Sequence, residues 1–135
     1  MIMKTAPFRK TKYYSSIREI IKRLGHATNA ELLHHLQRDF PELSATTVHR
    51  ATARLASRGE IGLAPNTHRG AVRYDARIKP HDHFSCNACD RLCDTDIKDK
   101  VQPIIEGAVA DCAISGNIVL TGLCNSCNSK QKSNS

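Results

Sequence analysis

Apolar residues in the first sixty positions recur at helical spacing. "SIREIIKRLG" sets Ile17, Ile20, Ile21 and Leu24 on one face, and Gly25 follows where a left-handed C-terminal residue belongs. A second helix is predicted from "TNAE". Thr28 and Glu31 have capping-box spacing, Leu32, Leu33, Leu36 and Phe40 form the buried stripe, and Pro41 is expected to stop it. A third, "SATTVHRATARLASRG", is capped by Ser44, buries Val48, Thr52 and Leu55, and ends at Gly59. Its outer side carries Thr46, His49, Arg50, Ala53 and Arg54. The period then changes to that of strands: Ile61 to Ala64 and Ala71 to Tyr74 flank the turn-rich "PNTHRG". Beyond residue 80 a strand region near 83–94, a helix over about 97–110 and a strand at "NIVLTGL" are predicted.

Three short helices, the last with a small and basic outer face, followed by a hairpin, predict a winged helix-turn-helix whose third helix can enter a major groove. Arg69 at the wing tip would contact backbone phosphates, which positions a protein without reading sequence. The alternative is an ordinary core helix with solvated arginines. Charge favours the first reading. Residues 1–75 hold thirteen Lys/Arg against six Asp/Glu, whereas residues 76–135 hold seven of each, so the first part carries the whole +7 of the chain. A basic part joined to a neutral one rich in Cys and Asp suggests a polyanion-binding module attached to a module with another task.

The 135 residues bury only a modest core, so a staple would be useful. No apolar run approaches the roughly 20 residues of a membrane span, which predicts no membrane partner. "MIMKTAPFRKTKYY" is basic without the apolar centre of a signal peptide, so the expected location is cytoplasmic. Thiols stay reduced there, and six cysteines read as ligands or reactive groups rather than a disulfide framework.

Cys86-Asn-Ala-Cys89 and Cys124-Asn-Ser-Cys127 are two C-x-x-C pairs. Each turn aims two sulfurs at one point, and four thiolates close a tetrahedron around structural Zn(II). A redox dithiol is the rival for one pair, but no strand-then-helix context for it surrounds either. Cys93 and Cys112 are expected to be small, buried or partly buried residues. Asp75, His81, His83 and Asp94 form a second group without sulfur. In a strand His81 and His83 point to one side, and nitrogen and oxygen donors suit Fe(II), Mn(II) or zinc. Each taken alone reads as a surface polar group.

The order helix-turn-helix, wing, "YD", "HDHFSCNAC", "D" and "GLCNSC" resembles the ferric uptake regulator family of metal-dependent transcription factors, and within it the peroxide-sensing branch. The resemblance implies an α+β homodimer: a winged-helix DNA-binding domain over 1–75, a hinge at 76–80, a small α/β dimerisation domain with a four-cysteine zinc site over 81–127, and a flexible tail from 128. It implies structural zinc at Cys86, Cys89, Cys124 and Cys127. It also implies a regulatory Fe(II) or Mn(II) at His26, Asp75, His81, His83 and Asp94, and binding of double-stranded DNA at A·T-rich inverted repeats, for which the outer face of the third helix and the wing tip offer Thr46, Thr47, His49, Arg50, Arg54 and Arg69. His26 comes from the resemblance alone.

The chain departs from the family pattern in places. The recognition helix reads Thr47-Val48-His49-Arg50, where the family has tyrosine in place of His49. Pro80 stands where a second exchangeable site would need histidine, so that site is not expected. No cysteine lies near Ala76, as zinc-sensing relatives would require, and Asp94 replaces the glutamate of iron-sensing ones. The expected function is therefore a peroxide- or iron-responsive repressor, with an iron- or zinc-uptake regulator as the alternative. From other classes, a zinc-ribbon interaction module or an iron-tetrathiolate electron carrier is the alternative, and a carrier would leave the basic winged helix without use. No nucleophile-plus-base arrangement points to an enzyme.

Overall fold

A computed structural model of the protein describes residues 8–109 and 111–133, with side chains from residue 12 onward. Most of the basic N-terminal arm, and the last two residues of the expected tail, lie outside the described residues. The chain forms two compact units. One runs to Asn66 and takes in Ala71–Lys79; the other comprises Pro80 onward together with Thr67–Gly70. Residues 76–79, expected as hinge, are thus part of the first unit, and the wing tip is part of the second.

In the first unit, α1 (Phe8–Leu24) buries Ile17, Ile20 and Ile21. It ends where Gly25 adopts φ +86° and donates from its N–H to the Ile21 carbonyl at 2.7 Å. Leu24, in the last turn, does not join the buried face and is 40% exposed. β1 (His26–Thr28) follows, a strand the helical periodicity hides because it is only three residues long. α2 (Asn29–Leu36) begins with both arms of the capping box, Thr28 N–H donating to Glu31 Oε1 at 2.9 Å and Glu31 N–H to Thr28 Oγ1 at 3.2 Å. The helix ends at Leu36, before the expected stop at Pro41, and Phe40 reaches the core from the turn beyond, edge-on to Tyr13.

α3 (Ala45–Ser57) is capped by Ser44, whose Oγ accepts from Thr47 N–H at 3.2 Å, and Gly59 beyond its end has φ +71°. Val48, Ala51, Thr52 and Leu55 face inward. The Thr52 hydroxyl donates to Asn29 Oδ1 at 2.8 Å, fixing α3 against the start of α2. The wing strands are β2 (Gly62–Ala64) and β3 (Arg73–Asp75), shorter than the apolar pattern suggested. β3 is central in an antiparallel sheet of order β1-β3-β2. Arg73, buried in β3, donates from Nε to the Pro65 carbonyl at 2.8 Å and from one terminal nitrogen to Asn66 at 3.2 Å, so the loop leaving β2 is held from within.

The second unit has β4 (Asp82–Cys86), β5 (Leu92–Thr95), α4 (Lys98–Ala108), β6 (Val119–Gly122) and α5 (Asn125–Ser133). β4 pairs antiparallel with β5 and parallel with β6, α4 lying in the crossover between β5 and β6. α5 corrects the expected tail: residues 128–133 are helical. The buried positions around β4 are mainly polar, namely His81, Asp82, His83, Ser85 and Cys86, and among the described residues α4 buries no side chain fully. A unit with so little apolar interior needs another source of cohesion.

Candidate functional site

Each C-x-x-C pair sits where a strand of the β4/β6 pair ends. Cys86 closes β4 in register with Gly122 at the end of β6, and Asn87 N–H donates to the Gly122 carbonyl at 2.8 Å, tying the first cysteine turn to β6. Cys124 follows β6, and Cys127 lies in the first turn of α5. All six cysteines are free thiols. The four sulfurs of Cys86, Cys89, Cys124 and Cys127 lie within 4.8 Å of one another, with Cys89 and Cys124 3.8 Å apart. A tetrahedron with Zn–S bonds of about 2.3 Å has edges of about 3.8 Å, so the cluster fits a structural zinc ion.

Their electrostatics agree. The N–H of Cys124, donating to Cys86 Sγ at 3.4 Å, and then that of Cys89, push the Cys86 thiol down to about 6. Cys124 is lowered mainly by the Cys127 N–H. Cys127 is driven up to about 12, first by the Cys124 sulfur and then by that of Cys89. The site favours some thiolates and opposes the last one, a conflict that a bound dication removes. Cys93 is half-buried in β5; Cys112 is exposed, contrary to the expected burial, since it follows the end of α4 rather than packing beneath it.

The sulfur-free donors are built by strand register. In the second unit His83 lies opposite Asp94 across the β4/β5 pair. His81, just before β4, sets its ring 4.2 Å from that of His83, and both Nε2 atoms approach Asp94 Oδ1, at 3.3 Å and 3.4 Å. In the first unit β1 pairs with β3 so that His26 lies opposite Asp75, with His26 Nε2 3.4 Å from Asp75 Oδ2. The other Asp75 oxygen accepts from Arg77 N–H at 2.8 Å, which fixes the carboxylate's orientation. His26 is thus placed by a strand that periodicity does not reveal. Asp82, the middle residue of "HDH", has a role that the sequence pattern does not signal. It accepts from Lys98 N–H at 3.0 Å and Ile118 N–H at 2.9 Å, caps α4 in place of the absent side-chain cap at Ile97, and is held below the usual carboxylate range chiefly by the Ile118 N–H.

Thr46, Thr47, His49, Arg50 and Arg54 are all exposed on α3, and Arg69 is exposed at the wing tip. Thr47 Oγ1 is 3.0 Å from the capping Ser44 Oγ, so part of its hydrogen-bonding capacity is used within the helix start.

One unit thus carries an exposed helix bearing Arg50 and Arg54, and the other a cluster of four thiols with zinc-site spacing. The family model described as "Ferric uptake regulator family" matches residues 5–114. The chain belongs to this family of metal-dependent transcription regulators. Among solved structures, the ferric uptake regulator of Helicobacter pylori, which has three functional metal-binding sites, superposes with a TM-score of 0.71 at 19% identity, over 93% of this chain and 83% of that one. The Francisella tularensis ferric uptake regulator with iron gives 0.68 at 19% identity, over 94% and 99%. The Campylobacter jejuni peroxide stress regulator gives 0.65 at 21% identity, over 88% and 91%. No curated protein sequence matches the chain. At these identities the structural likeness establishes the fold.

Proposed function

We propose that the protein is a homodimeric, cytoplasmic repressor that binds A·T-rich inverted repeats when His26, Asp75, His81, His83 and Asp94 together hold one Fe(II) or Mn(II) ion, and that it responds to peroxide. The observation that carries this reading is the split donor set. The first unit offers one imidazole and one carboxylate aligned by antiparallel register, and the second offers His83 and Asp94 aligned likewise, with His81 just before β4. An ion needing five or six hard or borderline donors is better satisfied by both groups than by either. Such an ion would restrict the orientations of the winged helix, turning metal affinity into DNA affinity by linkage. In this reading Arg50 reads a base edge, with Thr46, Thr47, His49 and Arg54 beside it and Arg69 on phosphate.

Bound Fe(II) would supply electrons to peroxide next to oxidisable imidazoles. Asp94 favours the peroxide reading over iron uptake by the resemblance described above. The test is operator selection from a random pool, followed by binding measured with Fe(II), Mn(II) or Zn(II) before and after dilute peroxide. The Fe(II) form is expected to release DNA and to gain one oxygen on His26 or His81 by peptide mass spectrometry, while the Mn(II) form stays bound. Unmodified histidines with retained binding would put iron uptake first, and binding supported by Zn(II) alone would make the protein a zinc-uptake regulator.

A further inference from the structure

The cysteine turn that starts at Cys86 ends on a residue with a left-handed backbone. Asp90 has φ +65°, and its N–H donates to the Cys86 carbonyl at 3.0 Å. Glycine would take this conformation without steric cost, and aspartate is among the few other residues that tolerate it. What aspartate adds is a carboxylate, and its destination is the wing tip. Asp90 Oδ1 accepts from His68 N–H at 2.8 Å and lies 2.9 Å from His68 Nδ1. A carboxylate only accepts, so Nδ1 carries the proton and His68 presents two donors to one oxygen. The tip is closed by Gly70 N–H on the Thr67 carbonyl at 2.9 Å, Gly70 has φ +93°, and Arg69 between them is exposed. Backbone N–H and imidazole N–H converging from a tight turn make a small anion site, and the exposed arginine next in sequence adds positive charge to the tip.

We propose that the His68 tip is a phosphate-binding element of the wing, and that Asp90 occupies it as an internal competitor which DNA must displace. This rests on the DNA-binding reading of the winged helix. A carboxylate oxygen and a phosphodiester oxygen ask for the same donors, so the two cannot use His68 together. The contact is suited to exchange. His68 and Asp90 side chains are each about a third exposed, at 32% and 30%, and an exposed pair of this kind is weak and screened by salt. A polyanion bringing several phosphates to the basic face can replace it. The wing therefore binds DNA less tightly than its composition allows, and Asp90 sets by how much.

The test uses the full-length zinc-loaded protein and a random-sequence duplex, because phosphate contacts do not depend on sequence. Asp90→Gly, which suits the left-handed backbone, and Asp90→Asn are expected to bind about two- to tenfold tighter than wild type, with a steeper salt dependence by about one phosphate. The gain should shrink in a His68→Ala background, since the competitor then blocks less. An undiminished gain would mean a general charge effect and overturn the proposal, as would unchanged or weaker binding. Should the variants lose zinc, the unsubstituted protein still decides. On adding duplex, the His68 amide and the Asp90 carboxyl carbon should shift together in NMR spectra, and an unmoved Asp90 carboxyl with DNA bound would overturn the competition. Wild-type protein that binds no duplex with any metal would instead overturn the DNA-binding reading itself.

Discussion

Cys86 lies wholly buried at the end of β4 with its sulfur accepting from Cys124 N–H, so a change there removes one thiolate and a link to the other cysteine pair at once. Since the second unit has few buried apolar side chains, metal binding energy is also folding energy. Cys86→Ser or Cys124→Ser is expected to lose zinc and cooperative unfolding together, whereas wild type is expected to hold one zinc per chain. Metal analysis with thermal denaturation checks this, and a stable zinc-free dimer of Cys86→Ser would remove the structural role. Glu106 is a second residue with a legible consequence. Its carboxylate accepts from Ile114 N–H at 2.6 Å and Gln102 Nε2 at 3.0 Å, and the Ile114 N–H, then the Gln102 amide, hold it below its ordinary value of 4.5. A depressed carboxylate contributes stability that is fully present above its unfolded value and lost as pH falls through the lower folded value. Wild type should therefore lose stability below about pH 4.5 more steeply than Glu106→Gln, as denaturant titrations at several pH values would reveal.

At the scale of elements, backbone approaches matter more than single contacts. A Cβ at Gly62 on β2 would lie 2.6 Å from the Arg77 carbonyl oxygen, so Gly62→Ala must push the segment after β3 away. That segment orients Asp75 through Arg77 N–H, and the variant is expected to keep its zinc while needing more Mn(II) for the same DNA binding. Arg50→Ala on α3 should cost about 1–3 kcal/mol on the operator and less on random DNA, the mark of a base contact. Equal losses on both would reduce Arg50 to a phosphate contact.

These elements also show where sequence patterns suffice. Helices announce themselves by period, caps and glycine, as the capping box at Thr28 and the αL residues at Gly25 and Gly59 do. The C-x-x-C pairs are equally explicit because each is a local turn. β1 lies directly between two helices, so neither it nor its pairing of His26 with Asp75 is read from the sequence, and His26 is reached through resemblance only as a ligand. α5 is hidden for a different reason: "NSCNSKQKS" has almost no apolar face, and its first turn holds Cys127 of the tetrathiolate cage. Asp82 and Asp90 escape a reading of local pattern because their partners, Ile118 and His68, are distant in sequence.

For the molecule as a whole, the cysteine cage and the sulfur-free donors should fail in different ways, and that difference tests the division of labour between them. The cage lies entirely within the second unit, where its loss removes cohesion. The donors His26 and Asp75 belong to the first unit, His81, His83 and Asp94 to the second, and neither group includes a thiolate of the cage. Asp75→Ala or His81→Ala should therefore leave a folded dimer with one zinc per chain, and melting close to wild type before any second metal is added. What should vanish is linkage. A ligand that binds one state preferentially shifts an equilibrium only by its differential affinity, so a variant that cannot hold the second ion has nothing with which to favour the DNA-binding arrangement. Operator affinity measured against rising Mn(II) should climb for wild type and stay flat for both variants, at the level of wild type without Mn(II). If either variant still gains operator affinity on adding Mn(II), the residue is not a ligand of the regulatory ion; if instead it loses its zinc, the two sites are not separable and the metal response belongs to the cage.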